Sequence, residues 1–258
     1  EACFRAGGSE YDIHQAFAAA CGQREHELPY NSIVALNEAG SVLHYQILRR
    51  DRPAQPHSLL LDAGASHRGY GSDITRTTAY DDAEFAALVA AMDRLQLGLC
   101  DLAKPGTDWR EIHLAAVQRI ASLLCECGVI RCGVEEAIES GVARLFFPHG
   151  IGHMLGLQVH DVGGLFADAE GGTLPKPPLD SALRLTRRLE PGFVVTMEPG
   201  FYFIDALLGP QRQGPHAARI DWSRVDRLRK FGGIRIEDNL AITADGHDNL
   251  TRRAFASA

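Results

Sequence analysis

The stretch SLLLDAGASHRGYGSDITRTTA, residues 58–79, reads as a β-hairpin with a glycine-rich connection, one arm running from Ser58 to Asp62 and the other from Gly71 to Ala79. Each arm carries an acid, Asp62 and, eleven residues later, Asp73. Upstream, Ser32–Leu36 and Ser41–Tyr45 predict two more strands around an Asn37-Glu38-Ala39-Gly40 turn, and Ser9 caps a first helix with Tyr11, Ile13, Ala16 and Phe17 on one face. Downstream, Asp81 to Ala103 predicts a long amphipathic helix stopped by Lys104-Pro105-Gly106. Thr107 is read as the cap of another running to Gly128, and Val134 to Ser140 as a short third. A glycine-punctuated stretch from Gly150 to Gly172 follows. Two further strands are expected at Phe193–Phe203 and Gly233–Thr243, separated by a long polar connection. Strands, then helices, then strands is the order of an α+β protein and not of an alternating parallel sheet.

Composition narrows the function. The chain has 258 residues, 45% hydrophobic, with 26 basic and 33 acidic side chains for a net charge of −7. That balance disfavours nucleic acid and anionic membranes as partners, because both select a basic surface. No stretch approaches the roughly 20 apolar residues that span a bilayer. A zinc site at Cys125-x-Cys127-x4-Cys132 lacks a fourth ligand at short spacing, so reduced thiols and a cytoplasmic location are expected. The chain opens at Glu1 without a basic-then-apolar leader and is expected to be a piece of something longer.

Acids interrupt apolar strands four times: Asp62 after Leu59-Leu60-Leu61, Asp73 before Ile74, Glu198 after Val194-Val195-Thr196-Met197, and Glu237 after Gly233-Ile234-Arg235-Ile236. A single such acid marks a strand end at water, since charged side chains are rarely buried unpaired. Four that converge would repel one another by about 4 kcal/mol per pair at 4 Å and an effective dielectric of 20, and protonation or bound cations would have to relieve them. Period two places Arg235 and Glu237 on one face and Ile234 and Ile236 on the other. His149, His153 and His160 lie within thirteen residues, but Gly150 and Gly152 disfavour a helix and no Glu follows His149, so this is not the HExxH arrangement. One imidazole among several carboxylates is a hard donor set that suits manganese, with cobalt and zinc also open.

These residues, in this order, resemble the pita-bread metallopeptidases, the family of aminopeptidase P, methionine aminopeptidase, creatinase and Xaa-Pro dipeptidase. The resemblance spans nearly the whole chain and rests on LDAGASHRGYGSDITRT at 61–77, HGIGHMLGLQVHD at 149–161, TMEPGFYF at 196–203 and GGIRIED at 232–238. It implies a single catalytic domain over 1–258 with a curved, mostly antiparallel sheet covered by helices. Two divalent ions, Mn2+ foremost and Co2+ or Zn2+ otherwise, would be held by Asp62, Asp73, His153, Glu198 and Glu237, with Asp73 and Glu237 bridging. By the same likeness His160 steadies the substrate carbonyl, Glu198 also shuttles a proton, and His44 lies on a strand facing the site. His149, Tyr30 and Tyr202 lie on the substrate side, Arg184 matches an arginine that holds a dipeptide carboxylate, and Arg235 and Thr75 stand behind the ligands.

The stretch LPYNSIVALNEAGSVLHY at 28–45 and the connection from Asp205 to Lys230 resemble the bacterial Xaa-Pro dipeptidase (prolidase) branch most. That branch implies hydrolysis of Xaa-Pro dipeptides by a hydroxide between the two ions, a side activity on organophosphorus esters, and a homodimer at full length. Against the pattern, residues 1–258 are expected not to include the amino-terminal domain of full-length members, and the first helix is expected to be cut short before Ser9. The competing expectations are removal of the residue before proline from longer peptides, as aminopeptidase P does, and a non-catalytic peptide-binding module.

Overall fold

The computed structural model describes residues 1–257. After a short helix α1 (Ala2–Arg5), Ser9 heads α2 (Glu10–Cys21) with a complete capping box. Its hydroxyl accepts from the Asp12 N–H at 3.1 Å, while Asp12 accepts from the Ser9 N–H at 3.0 Å. Helix α2 therefore begins at its Ser9 cap. Strands β1 (Ile33–Leu36), β2 (Ser58–Ala63) and β5 (Ile74–Ala79) form an antiparallel sheet in the order β1-β2-β5, with a small hairpin of β3 (Ser66–His67) and β4 (Tyr70–Gly71) at the turn. Helices α3 (Ala83–Cys100), α4 (Trp109–Glu126) and α5 (Val134–Glu139) follow. The remaining strands are a peripheral hairpin of β6 (Phe166–Asp168) and β7 (Gly171–Thr173), then β8 (Val194–Met197), β9 (Gly200–Tyr202), β10 (Gly233–Arg235), β11 (Asp238–Ile242) and β12 (His247–Asn249). Helices α6 (Asp205–Leu208) and α7 (Trp222–Leu228) lie between β9 and β10, and α8 (Leu250–Ala256) ends the chain. Every strand pairing is antiparallel.

The helices bury one face of the later strands. Phe85, Met92 and Leu99 of α3 and Ile112, Ile120 and Leu124 of α4 share one apolar cluster with Val195, Met197, Ile234, Ile236 and Leu240. With Ile234 and Ile236 turned to that core, period two sends Arg235 and Glu237 to the opposite face. Among the described residues, no helix is long and apolar enough to cross a membrane.

Four details depart from the sequence reading, each for a local reason. Ser41–Tyr45 is not a strand. Asn37 takes φ 57°, its side-chain oxygen accepts the His57 N–H at 2.7 Å, and β1 pairs with β2, so residues 42–57 loop out without helix or strand. His44 thus stands on a turn. Asp108 and not Thr107 caps α4, accepting the Arg110 N–H at 3.0 Å. The long connection from Asp205 to Lys230 folds into α6, α7 and 3-10 turns. Finally, the strands expected at 193–203 and 233–243 are each interrupted, at Glu198-Pro199 and Ile236-Glu237. Pro199 accepts from the Ile236 N–H at 3.3 Å but has no N–H to return, which opens the ladder there.

Gly152 shows how closely the next segment lies against this sheet. A Cβ added there would overlap the Thr196 carbonyl and touch the Trp109 ring. Gly152→Ala is expected to lower unfolding free energy by about 2–3 kcal/mol, as overpacking against backbone does. An unchanged midpoint in a denaturant titration would contradict this packing.

Candidate metal centre

The interrupted strands keep one register. Arg235 pairs with Gly200 and Asp238 with Met197, and continuing that pairing through the gap sets Glu237 opposite Glu198. On its other side Glu237 bridges to Thr75, donating its N–H to the Thr75 carbonyl at 3.0 Å, and Thr75 pairs with Asp62. A single row therefore crosses the sheet: Asp62, Thr75, Glu237, Glu198. Two residues along, on the same face, the next row holds Asp73, Asn239, Thr196 and His153. Asn239 pairs with Thr196, and the Thr196 hydroxyl accepts the His153 N–H at 3.1 Å. Row and column place the four acids and His153 together although they come from distant parts of the chain.

The contacts agree with that placement. One ligating atom each from Asp73, His153 and Glu237 lies within 4.8 Å of the others. His153 Nε2 is 3.4 Å from Asp73 Oδ2 and 3.8 Å from Glu198 Oε1. The Tyr30 hydroxyl lies 2.7 Å from Asp62 Oδ1 and 2.6 Å from Asp73 Oδ1. Its single hydrogen serves one of these contacts, so without a cation the other requires a proton on a carboxyl. Asp73 is fixed through its backbone, its N–H donating to Asn239 Oδ1 at 3.0 Å and its carbonyl accepting from Asn239 Nδ2.

Arg235 is the permanent cation of the cluster. It is almost fully buried and donates to Asp62 Oδ2 at 2.6 Å, to the Tyr202 hydroxyl at 3.0 Å and to Thr75 Oγ1 at 3.1 Å. Thr75 donates in turn to Glu237 Oε2 at 2.6 Å. One guanidinium does not neutralise four carboxyls. Burial, followed by the charges of its neighbours, holds Glu237 well above the usual carboxylate range, and burial also raises Asp62 against the pull of Arg235. Glu198 is pushed up to about 7, again mainly by burial. Burial pushes Asp73 up as well, but its bonds to His153 and Tyr30 outweigh that and hold it low.

The donor set fits divalent cations. Four carboxyls retain excess negative charge after Arg235, and His153 presents the right atom. Its Nδ1 lies 2.9 Å from the Met154 carbonyl and must donate to it, which leaves Nε2 turned toward Asp73 and Glu198. With no cation present Nε2 shares a proton with Asp73, and these carboxylates raise the imidazole against its burial. Asp62, Asp73, His153, Glu198 and Glu237 are the residues that would hold the ions.

These residues line a cavity of about 540 Å³, whose walls also carry His44, His149, His160, Arg184 and Tyr30. The His160 ring stands edge-on to His153 with centroids 4.4 Å apart, and burial followed by the His153 charge depresses it to about 4. His149 is likewise neutral, depressed by burial to about 3. Its Nδ1 donates to the Gly150 carbonyl at 2.8 Å and its Nε2 accepts from the Tyr202 hydroxyl at 2.9 Å.

Tyr202 requires a correction. It is fully buried and does not line the cavity. Period two keeps it on the face of Glu198 and Arg235, but its ring lies under His149 and Arg235, whose bonds to its hydroxyl cover it, so it braces both from below the cavity wall. The sequence reading also missed Asn239 and Thr196. Both lie at period two from a ligand, and polar residues on an otherwise apolar strand were the available signal.

A carboxyl-lined face of an antiparallel sheet backed by helices is the site class of proteins that hold divalent cations, and comparison gives its family. The sequence pattern of metallopeptidase family M24 matches residues 1–244, and the chain belongs to that family. It is 51% identical over 259 residues to the Xaa-Pro dipeptidase of Stenotrophomonas maltophilia (strain K279a), all of this chain aligning with 58% of that protein. It is 50% identical to the Xaa-Pro dipeptidase of Xanthomonas axonopodis pv. citri (strain 306), covering 59% of it. The chain thus spans somewhat more than half the length of these relatives. Among solved structures it resembles Pseudomonas aeruginosa aminopeptidase PepP, with a TM-score of 0.75 and 28% identity over 95% of this chain and 50% of that one. It also resembles Zn-substituted E. coli aminopeptidase P in complex with product, with a TM-score of 0.72 and 31% identity over 96% and 50%. The fold is the pita-bread fold of these aminopeptidases.

The Glu198 shift gives a pH signature. Its folded pKa, about 7, lies above the ordinary 4.5, so the metal-free native state binds the extra proton between those values. That contribution is present in full below 4.5 and is lost as pH rises through about 7. Chelator-treated protein should melt several degrees lower at pH 8 than at pH 5.5. Manganese-loaded protein should resist the fall, because ions that bind only the native state stabilise it. Thermal melts with and without chelator across that range check this, and a gap independent of pH would contradict it.

Proposed function

We propose that the chain is the catalytic part of an Xaa-Pro dipeptidase, hydrolysing dipeptides whose second residue is proline. The observation that carries the reading is Arg184, an exposed guanidinium in the wall of the cavity that holds the carboxyl cluster, with no ion-pair partner among the described residues. A guanidinium fork pairs bidentately with a carboxylate, and in the wall of the same cavity it favours substrates that end one residue after the scissile bond. The identity to curated Xaa-Pro dipeptidases supports the same choice. We infer two divalent ions, manganese foremost given the oxygen-rich donors. A cytoplasmic location is supported by six cysteines that are all free thiols.

Divalent ions held by Asp62, Asp73, His153, Glu198 and Glu237 would supply, when bound, Lewis-acid polarisation of the scissile carbonyl and acidification of the attacking water. The chain's own groups do the rest. Neutral His160 presents a ring N–H to the developing oxyanion, and a fixed donor aimed at growing charge is worth most in a water-poor cavity. Glu198 stands between His153 and His149, with Oε2 3.7 Å from His149 Nδ1. From that position the Glu198 carboxylate takes the water proton and passes it to the proline nitrogen. That nitrogen is a tertiary amide without a hydrogen of its own, so this proton is what lets it leave. His44, on the turn across the cavity, contacts the substrate from the opposite wall. Tyr30 keeps Asp62 and Asp73 together.

The structural neighbours favour a second reading, removal of the residue before proline from longer peptides. Gly-Pro, Gly-Pro amide and a tetrapeptide with proline second separate the two. The dipeptidase reading expects Gly-Pro to be hydrolysed fastest, and Arg184→Ala to raise KM for Gly-Pro at least tenfold, about the worth of one charge-assisted pair, while leaving the amide unchanged. Preference for the tetrapeptide would establish the aminopeptidase reading. Glu198→Gln should lower kcat by about 10²–10⁴-fold with a smaller effect on Tm.

A further inference from the structure

Residues 42–57 form part of the cavity wall through Leu43, His44 and Gln46, yet they contain no helix or strand. A segment without regular structure has to be held by side chains or by its own few backbone bonds. Asn37 holds its far end through the Gln55 carbonyl and the His57 N–H, Asn31 bonds Gln46, and the side chain that holds its middle is Glu10, at the first turn of α2 and buried to 2% exposure. Its Oε1 accepts the Leu36 N–H at 3.2 Å, where β1 ends. Its Oε2 accepts both the Tyr45 hydroxyl at 2.8 Å and the Arg49 N–H at 2.7 Å. The Tyr11 N–H then donates to the Arg49 carbonyl at 3.1 Å, so the helix start grips Arg49 by both its backbone polar groups.

Tyr45 transmits the grip. It is buried, packed with Ile33, Ala35, Leu60 and Tyr202, and its backbone neighbour His44 is the residue that projects into the cavity. Tyr202 in turn braces His149 and Arg235, so the floor and this wall share one apolar cluster. The geometry points to Glu10 as a positioning residue: through Tyr45 it fixes where His44 meets the substrate. This inference rests on the substrate-side role given to His44 under the proposed function. Its reach is set by chain connectivity, because a shift of Tyr45 carries the adjoining peptide with it, and a displacement near 1 Å at a substrate contact costs on the order of a hundredfold in rate.

The test uses Tyr45→Phe, which keeps the ring and removes only the bond to Glu10, and Glu10→Gln, which turns one acceptor of the cluster into a donor. In manganese-loaded protein, each is expected to lower kcat/KM for Gly-Pro roughly 10- to 100-fold in the native background. In a His44→Ala background neither should lower it further, while any loss in Tm should be the same in both. A loss of activity that persists undiminished without His44 overturns the proposal, as does a His44→Ala variant as active as the native protein. A second readout does not depend on turnover. Tryptic nicking after Arg49 and Arg50 should be at least tenfold faster in Glu10→Gln, and equal nicking overturns the anchor whatever the substrate proves to be.

Discussion

Like charges gathered inside a protein are the constraint to which the rest of this structure answers. Asp62, Asp73, Glu198 and Glu237 share one pocket in which Arg235 is the guanidinium bonded into the cluster, and each pair at contact distance costs about 4 kcal/mol even at an effective dielectric of 20. Such a cluster persists without collapsing outward only if its scaffold is stiffer than the repulsion. Here the scaffold is a sheet whose reverse face is buried under α3 and α4 through Ile234, Ile236, Val195 and Met197. The apolar residues alternating with the acids are what keep the acids in place.

Hydrogen-bond direction makes the arrangement unique as well as stiff. Arg235 can only donate, so Tyr202 accepts from it at 3.0 Å and spends its own hydrogen on His149 Nε2 at 2.9 Å. His149 then carries its proton on Nδ1, toward the Gly150 carbonyl. Likewise the Met154 carbonyl forces the His153 proton onto Nδ1 and frees Nε2 for the pocket. Two imidazoles four residues apart thus receive defined tautomers from neighbours that have no alternative role. One is left able to ligate a cation and the other to stay neutral beside Glu198.

This division explains which parts of the site were legible in the sequence. Asp62, Asp73, Glu198 and Glu237 interrupt apolar runs, and period two sorted Arg235 and Glu237 from Ile234 and Ile236 before any coordinates. The convergence itself was harder to see. It requires Glu237 to stand opposite Glu198 and beside Thr75, and register between strands 40 to 160 residues apart has no local signature. Tyr202 misled because motif position and strand parity give the face and not the cover: it is on the cavity's side of the sheet, but His149 and Arg235 lie over it. Pro199 was visible, yet its effect on the ladder depends on a partner, Ile236, that only the pairing identifies.

The floor of the cavity is periodic and its walls are not, and that difference has a physical origin. A strand residue inherits its direction from the pleat, so a ligand there is as fixed as the sheet. Arg184, His160 and His44 come from irregular segments, where orientation has to be imposed by individual contacts. Arg184 is held by its neighbours Leu183 and Leu185, both buried in the main core. His160 lies on a segment tied back by the Asp161 N–H to the Met154 carbonyl at 3.0 Å. His44 depends on Tyr45 and the carboxyl beneath it. Walls built this way can be re-aimed by changing one anchor while the floor keeps its register, so discrimination among substrates can vary without disturbing the carboxyl cluster. A sheet-borne ligand offers no such freedom, since moving one residue of its row displaces every partner across the strands.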